Sequence, residues 1–139
     1  MKYWILALPR EHIEHCMKVG TFGMKRKGHL EKMTKGDKVV LFATKEAKIL
    51  GFGEVTKEYY VDDAKVFLAQ TVRDVFPDRI QFKSNKLPKD QEIDFKPLVW
   101  DLSFIKNPSY WGAHFVSGMC EIPEKDYNLL RSKAPKANV

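Results

Sequence analysis

The run Tyr3-Trp4-Ile5-Leu6-Ala7-Leu8 is almost wholly apolar and stops at Pro9. Aromatic and β-branched residues favour an extended strand, and a proline ends one. A strand with one wet face alternates apolar and polar residues. This run does not alternate, so it reads as a central strand covered on both faces. The rest of the chain must supply its neighbours and its covers.

The pattern then switches. Pro9 suits a first helical position, Glu11 the positive end of a helix dipole, and Ile13, Cys16 and Met17 form one apolar stripe. Lys18 lies in the last turn and Gly20 is a natural stop, so a helix is expected over 9–18. It delivers the chain into Gly20-Thr21-Phe22-Gly23-Met24-Lys25-Arg26-Lys27-Gly28, read as a flexible basic loop. His29 to Met33 makes one helical turn, and Thr34-Lys35-Gly36-Asp37 turns into a strand over 38–43. A short polar connection, 44–48, then joins it to a second strand over 49–56 as an antiparallel hairpin, which can continue to Val61. Gly51 and Gly53 fall on one face of that strand, the mark of a bulge or of close approach by another group.

Beyond it, 62–75 is expected to be a short helix or an extended excursion and 76–82 a strand with Ile80 and Phe82 inward. Residues 84–92 read as a loop, 94–104 as a short helix and a covering segment, 114–122 as the last strand and 123–133 as a helix. There is no repeat and no linker, so residues 1–139 are expected to form a single domain. Short strands in hairpins with few helices point to an α+β fold built on a small, mostly antiparallel barrel.

Apolar residues make up 44% of the chain, enough for a core. No apolar run approaches the ~20 residues that span a bilayer, and the amino-terminal run lacks a signal-type cleavage site. No membrane partner and a cytoplasmic location are therefore expected. Cys16 and Cys120 suggest buried thiols and no disulfide framework. The net charge of +6 favours an anionic partner, nucleic acid above all.

Catalytic and metal motifs are sparse. His12, His15 and Cys16 share a helix, but Ile13 and Cys16 define its buried stripe and no second ligand pair follows, so no metal is expected. No serine stands in Gly-x-Ser-x-Gly, and there is neither a Walker loop nor a dinucleotide fingerprint, so no cofactor is expected. Phe42, Phe104 and Phe115 are assigned to the core. Phe22 and Trp111 stand beside glycines in expected loops and suit the walls of a binding pocket, where two rings can sandwich a base. Lys25, Arg26 and Lys27 adjoin Phe22 and suit phosphate contacts, which position rather than specify.

Taken in order, Tyr3-Trp4-Ile5-Leu6, the proline-led helix, the Gly-aromatic basic loop, Met33 to Phe42, Gly51-Phe52-Gly53-Glu54-Val55 and Trp111-Gly112-x-x-Phe115 resemble the EVE domain, more narrowly the UPF0310 family. The resemblance covers nearly the whole chain. It implies a PUA-like, mostly antiparallel β-pseudobarrel with flanking helices, related to YTH domains, and a base-sized aromatic pocket. By motif order it implies that Phe22 stands where YTH domains place a cage tryptophan and that Trp111 is similar to a second one. Thr44, Gly20, Gly23 and Trp4 complete the expected base-binding set.

The reading is a non-catalytic module that holds a nucleic-acid base, a modified one by the resemblance, in an aromatic pocket. Two alternatives stay open: an enzyme on nucleotides or modified nucleosides using His29 or His114, and a protein-interaction adaptor. DNA and RNA are equally compatible with it.

Overall fold

A computed structural model describes residues 1–24, 29–62, 64, 76–115 and 118–134. Their sheet runs β2-β5-β4-β3-β1-β7, where β1 is Tyr3–Leu8, β2 Thr21–Met24, β3 Lys38–Ala43, β4 Lys48–Val61, β5 Asp78–Lys86 and β7 Met119–Ile122. A short β6, Ile93–Asp94, pairs with the start of β4. Among the described residues two α-helices flank it, α1 (Arg10–Val19) and α2 (Glu124–Ser132). The β1–β3 pair is parallel and the other described pairs are antiparallel. The sheet curls into a half-barrel. Among the described residues no helix is long and apolar enough to cross a membrane.

β1 is central, as its composition requires. It lies between β3 and β7, and its side chains divide between two cores. Ile5 and Ala7 join one with Val40, Phe42, Phe95, Phe115 and α2's Tyr127 and Leu130. Trp4 and Leu6 join the other with Ile13, Cys16, Phe22, Leu41 and Ile80. The alternation of a strand, period two, therefore feeds both layers from one apolar run.

Asp37 sets the start of the parallel pair. Its buried carboxylate accepts hydrogen bonds from the Lys2 amide (3.0 Å), the Trp4 indole Nε1 (3.1 Å), the Thr34 amide (2.9 Å) and the Thr34 hydroxyl (2.9 Å). Residues just ahead of β1 and just ahead of β3 are thus tied to one side chain. Asp126 does the same for α2, accepting from the Ser103 amide (3.0 Å), the Ser103 hydroxyl (2.8 Å) and the Phe104 amide (3.0 Å).

Gly51 and Gly53 let β5 close onto β4. A Cβ on Gly53 would lie 2.3 Å from the Lys83 carbonyl oxygen, and one on Gly51 2.4 Å from that of Asn85. β5 runs on to Lys86, through part of the expected 84–92 loop, because these glycines leave room for it.

Two local expectations change. Residues 21–24 form a strand, not a loop: Gly20 caps α1 in the left-handed conformation (φ 69°), and its carbonyl accepts from the Phe82 amide at 3.0 Å, which opens the β2–β5 ladder. Thr21 and Phe22, both strand formers, then pair with Gln81 and Ile80. The last strand is confined to 119–122, because His114 and Phe115 belong to a 3-10 segment, Pro108–Phe115, kinked at Tyr110. The Asn107 side chain starts it by accepting from the Ser109 amide at 3.1 Å. Most of the expected excursion at 62–75 lies outside the described residues.

Candidate functional site

The sheet's open seam holds a cleft. Its larger part, about 350 Å³, is lined by Ala7, Leu8 and Pro9 at the end of β1, Phe22, Gly23 and Met24 of β2, and Thr44, Phe76, Phe115 and Gly118. β2 and β7 are the outermost strands, so residues from one edge of the strand order meet Gly118, which precedes the other edge. A smaller part, about 170 Å³, is lined by Phe42, Thr44, Trp111, Gly112 and Phe115. Thr44 and Phe115 line both, so the two parts adjoin, with Phe22 in one and Trp111 in the other.

Trp111 is positioned by its own helical turn. It and Phe115 are four residues apart and pack together with ring centroids at 6.0 Å; Trp111 also lies 5.4 Å from Phe95 and 6.3 Å from Phe42. It remains half-buried, whereas Phe22 is 1% exposed and forms part of the second core. The two rings therefore offer different things: Trp111 presents a partly open ring, and Phe22 a closed wall.

Thr44 is pinned from two sides. Its amide donates to the Leu8 carbonyl at 3.0 Å, which joins the ends of β3 and β1. Two residues on, Glu46 accepts from Arg10 at 2.5 Å (Nε) and 2.8 Å (Nη2). The same guanidinium donates to both oxygens of Glu92, at 2.8 and 2.6 Å, and to Glu14 at 3.3 Å. The Glu92 and Glu46 hydrogen bonds push the Arg10 pKa up, and the Arg10 bond holds both carboxyls below their ordinary range. Arg10 is thus committed to carboxylates and fixes the turn that carries Thr44. Among the described residues the Thr44 hydroxyl makes no hydrogen bond and no charged side chain lines either part of the cleft.

Of the expected base-binding residues, the structure brings Phe22, Gly23, Thr44 and Trp111 to this cleft and leaves two elsewhere. Trp4 is 1% exposed, buried in the second core with its Nε1 bonded to Asp37, and does not line the cleft. Gly20 serves as the helix cap, and a Cβ there would lie 3.1 Å from the Phe82 carbonyl oxygen. Lys25, Arg26 and Lys27 lie outside the described residues. Neither His29 nor His114 lines the cleft; His29 is exposed and His114 packs edge-on against Phe104 at 5.4 Å. No group of three potential metal ligands occurs among the described residues.

The sequence reading did not place Phe115, Phe76, Met24 or Gly118 in the site. Phe115 had a signal, its four-residue spacing from Trp111; it is both core and cleft floor. Gly118 has φ 87° just before β7, and its carbonyl accepts from the Ala7 amide at 2.8 Å.

A curled mixed sheet with an aromatic cleft at its seam defines a PUA-like fold. The chain matches the EVE domain over residues 2–133 and belongs to that family. A UPF0310 protein of Pyrococcus horikoshii is 37% identical over 143 residues, covering 94% of this chain and 97% of its relative. Among solved structures, the YTH domain of Zygosaccharomyces rouxii MRB1, in complex with N6-methyladenosine RNA, has a TM-score of 0.66 at 10% identity, covering 94% of this chain and 84% of that one. Human THYN1, in complex with DNA containing 5-methylcytosine, has a TM-score of 0.61 at 15% identity, covering 95% and 96%. At these identities the likeness concerns the fold.

Proposed function

We propose that this protein is a non-catalytic nucleic-acid-binding module that takes one base into the seam cleft. The observation that carries the reading is the meeting of Phe22, Thr44, Phe115 and Trp111 around two adjoining spaces of about 350 and 170 Å³. The larger is within the range of sites for small organic ligands. Its walls are apolar and aromatic, which suits a flat uncharged ring rather than a phosphate. Trp111 supplies the stacking face and Thr44 the polar contact to the base edge. Among the described residues β2 is hydrogen-bonded into the sheet through β5 alone, so its other edge can offer backbone groups at Phe22 to Met24.

A base must leave its stack to enter, at a cost of a few kcal/mol, least for a single strand or a weakened pair. Stacking worth ~1–3 kcal/mol per base plus an edge hydrogen bond offsets much of that. The complexes of the MRB1 YTH domain and THYN1 lend support to a methylated base as the ligand. The net charge of +6 supports a polyanionic partner, with Lys25, Arg26 and Lys27 as phosphate contacts.

The test is fluorescence anisotropy with single-stranded and duplex DNA and RNA carrying 5-methylcytosine, N6-methyladenine, the unmodified base, or an abasic position. Trp111→Ala should weaken binding roughly 5- to 100-fold, in line with the loss of one stacked base. Thr44→Val should narrow the preference between bases. Equal affinity for base-containing and abasic oligonucleotides, unmoved by Trp111→Ala, would remove the cleft from the reading.

A further inference from the structure

At the edge of the first core, a second groove of about 400 Å³ lies between α2 and residues 52–54 of β4 and 83–85 of β5. It is lined by Lys38, Phe52, Gly53, Glu54, Lys83, Ser84, Asn85, Tyr127 and Arg131, of which Arg131 and the two lysines carry the argument. Lys38 opens β3 and Thr44 follows its end, so roughly 20 Å of strand separates this groove from the seam cleft. The groove shares no lining residue with that cleft.

Its charges are unbalanced in one direction. Lys38 donates to Glu54 at 2.5 Å, so these two neutralise one another. Lys83 stands opposite Glu54 in the β4–β5 ladder and also acts on that carboxylate, so three cations and one carboxylate leave this groove a net two positive charges. Arg131 packs on Phe52: its guanidinium carbon lies 4.7 Å from the centre of that ring, a cation–π contact. Its Nη1 is buried and has no hydrogen-bond partner among the described residues. A buried donor without a partner is costly, and an ion is one of the ordinary ways to satisfy it. Ser84 and Asn85 line the same wall and bring hydroxyl, amide and backbone polar groups. The wall is close-built because Gly53 has no side chain to hold Lys83 and Ser84 away.

We infer that this groove is a second ligand site, for a phosphate group held between Arg131 and Lys83. A guanidinium fork suits a planar or tetrahedral oxyanion, and a net two positive charges match phosphate better than a monoanion. The site stands independently of the base-binding reading, since no residue is common to both.

The probe is sodium phosphate, titrated into the 15N-labelled full chain and followed by amide and Arg131 Nε shifts, with sodium chloride at matched ionic strength as the reference. Saturable shifts confined to Gly53, Lys83, Ser84, Asn85 and Arg131 are expected, with affinity at least tenfold weaker in Lys83→Gln and in Arg131→Gln. Lys83 is exposed, so that variant keeps the fold even where loss of the Arg131–Phe52 contact loosens it. Non-saturating shifts that chloride reproduces, or unchanged affinity in both variants, would overturn the site. A second arm separates the sources of the phosphate. If the groove takes a nucleic-acid backbone, Lys83→Gln lowers the salt slope of oligonucleotide binding by about one. If it takes a free phosphate ester, that slope is unchanged while the phosphate shifts are lost.

Discussion

Asp37 is the most exacting test of how this fold is held together. Replacing it with alanine removes the acceptor of four hydrogen bonds at once. The Trp4 Nε1–H is buried and would be left unpaired, which costs ~1–3 kcal/mol. The Lys2 and Thr34 amides and the Thr34 hydroxyl are only partly buried and can turn to water, so each loses nearer ~0.5–1 kcal/mol. The sum is about 2.5–6 kcal/mol, or a fall in Tm of about 9–20 °C for a domain of this size. Urea unfolding gives the first quantity and a thermal scan the second. Asp37→Asn keeps the shape and one acceptor and should fall between alanine and the parent.

The acid side supplies an independent check on the same residue. Burial raises the Asp37 pKa, but the bonds from Thr34, Lys2 and Trp4 together outweigh it, and the net shift is downward. A lowered folded-state pKa means that the unfolded chain binds the proton more readily. The carboxylate's contribution is therefore present above the ordinary carboxylate range near ~4 and is lost as pH falls through the folded value. Stability of the parent should drop more steeply below about pH 4 than that of Asp37→Asn. A loss under ~1 kcal/mol in Asp37→Ala, or strict additivity with Trp4→Phe in a double-mutant cycle, would refute the reasoning.

Three further outcomes are expected. Arg10→Ala leaves Glu92, whose side chain is 1% exposed, without its bidentate partner and should cost ~1–3 kcal/mol by urea unfolding, tempered by the partial exposure of Arg10 itself. Gly53→Ala puts a Cβ 2.3 Å from the Lys83 carbonyl and should lower stability by ~1–3 kcal/mol, with amide shifts centred on 83–85; a neutral result would mean that β5 gives way freely. Burial pushes the Cys16 thiol up to about 12 and, with Glu121 adding to it, Cys120 up to about 11, so iodoacetamide at pH 8 should label the folded chain slowly and the unfolded chain fast, as read by mass spectrometry.

How much of this was legible depended on whether a signal was local. β1, α1, β3, β4 and α2 each carry their own periodicity, and the two-sided burial of β1 follows from its lack of alternation. β2 was not legible because Gly20 and Gly23 read as loop residues and its pairing partner, β5, lies far along the chain. The 3-10 segment at 108–115 failed for a related reason: His114 and Phe115 look strand-like until the Asn107 turn and the packing of Trp111 on Phe115 are known. In the site, Trp111 and Thr44 could be named from motif order, but nothing local said that they share a cleft. Trp4 was misplaced because an indole looks the same in sequence whether its N–H meets a ligand or a buried aspartate.

The position of β1 also governs how the molecule comes into being. Leu6 pairs with Leu41 on one side, 35 residues later (41 − 6), and with Met119 on the other, 113 residues later (119 − 6). At roughly 5–20 residues per second of synthesis, the second partner arrives about 6–23 s after the strand itself is made. Throughout that interval one long edge of the most apolar strand in the chain is open, so the nascent protein must keep it covered by other means until β7 leaves the ribosome.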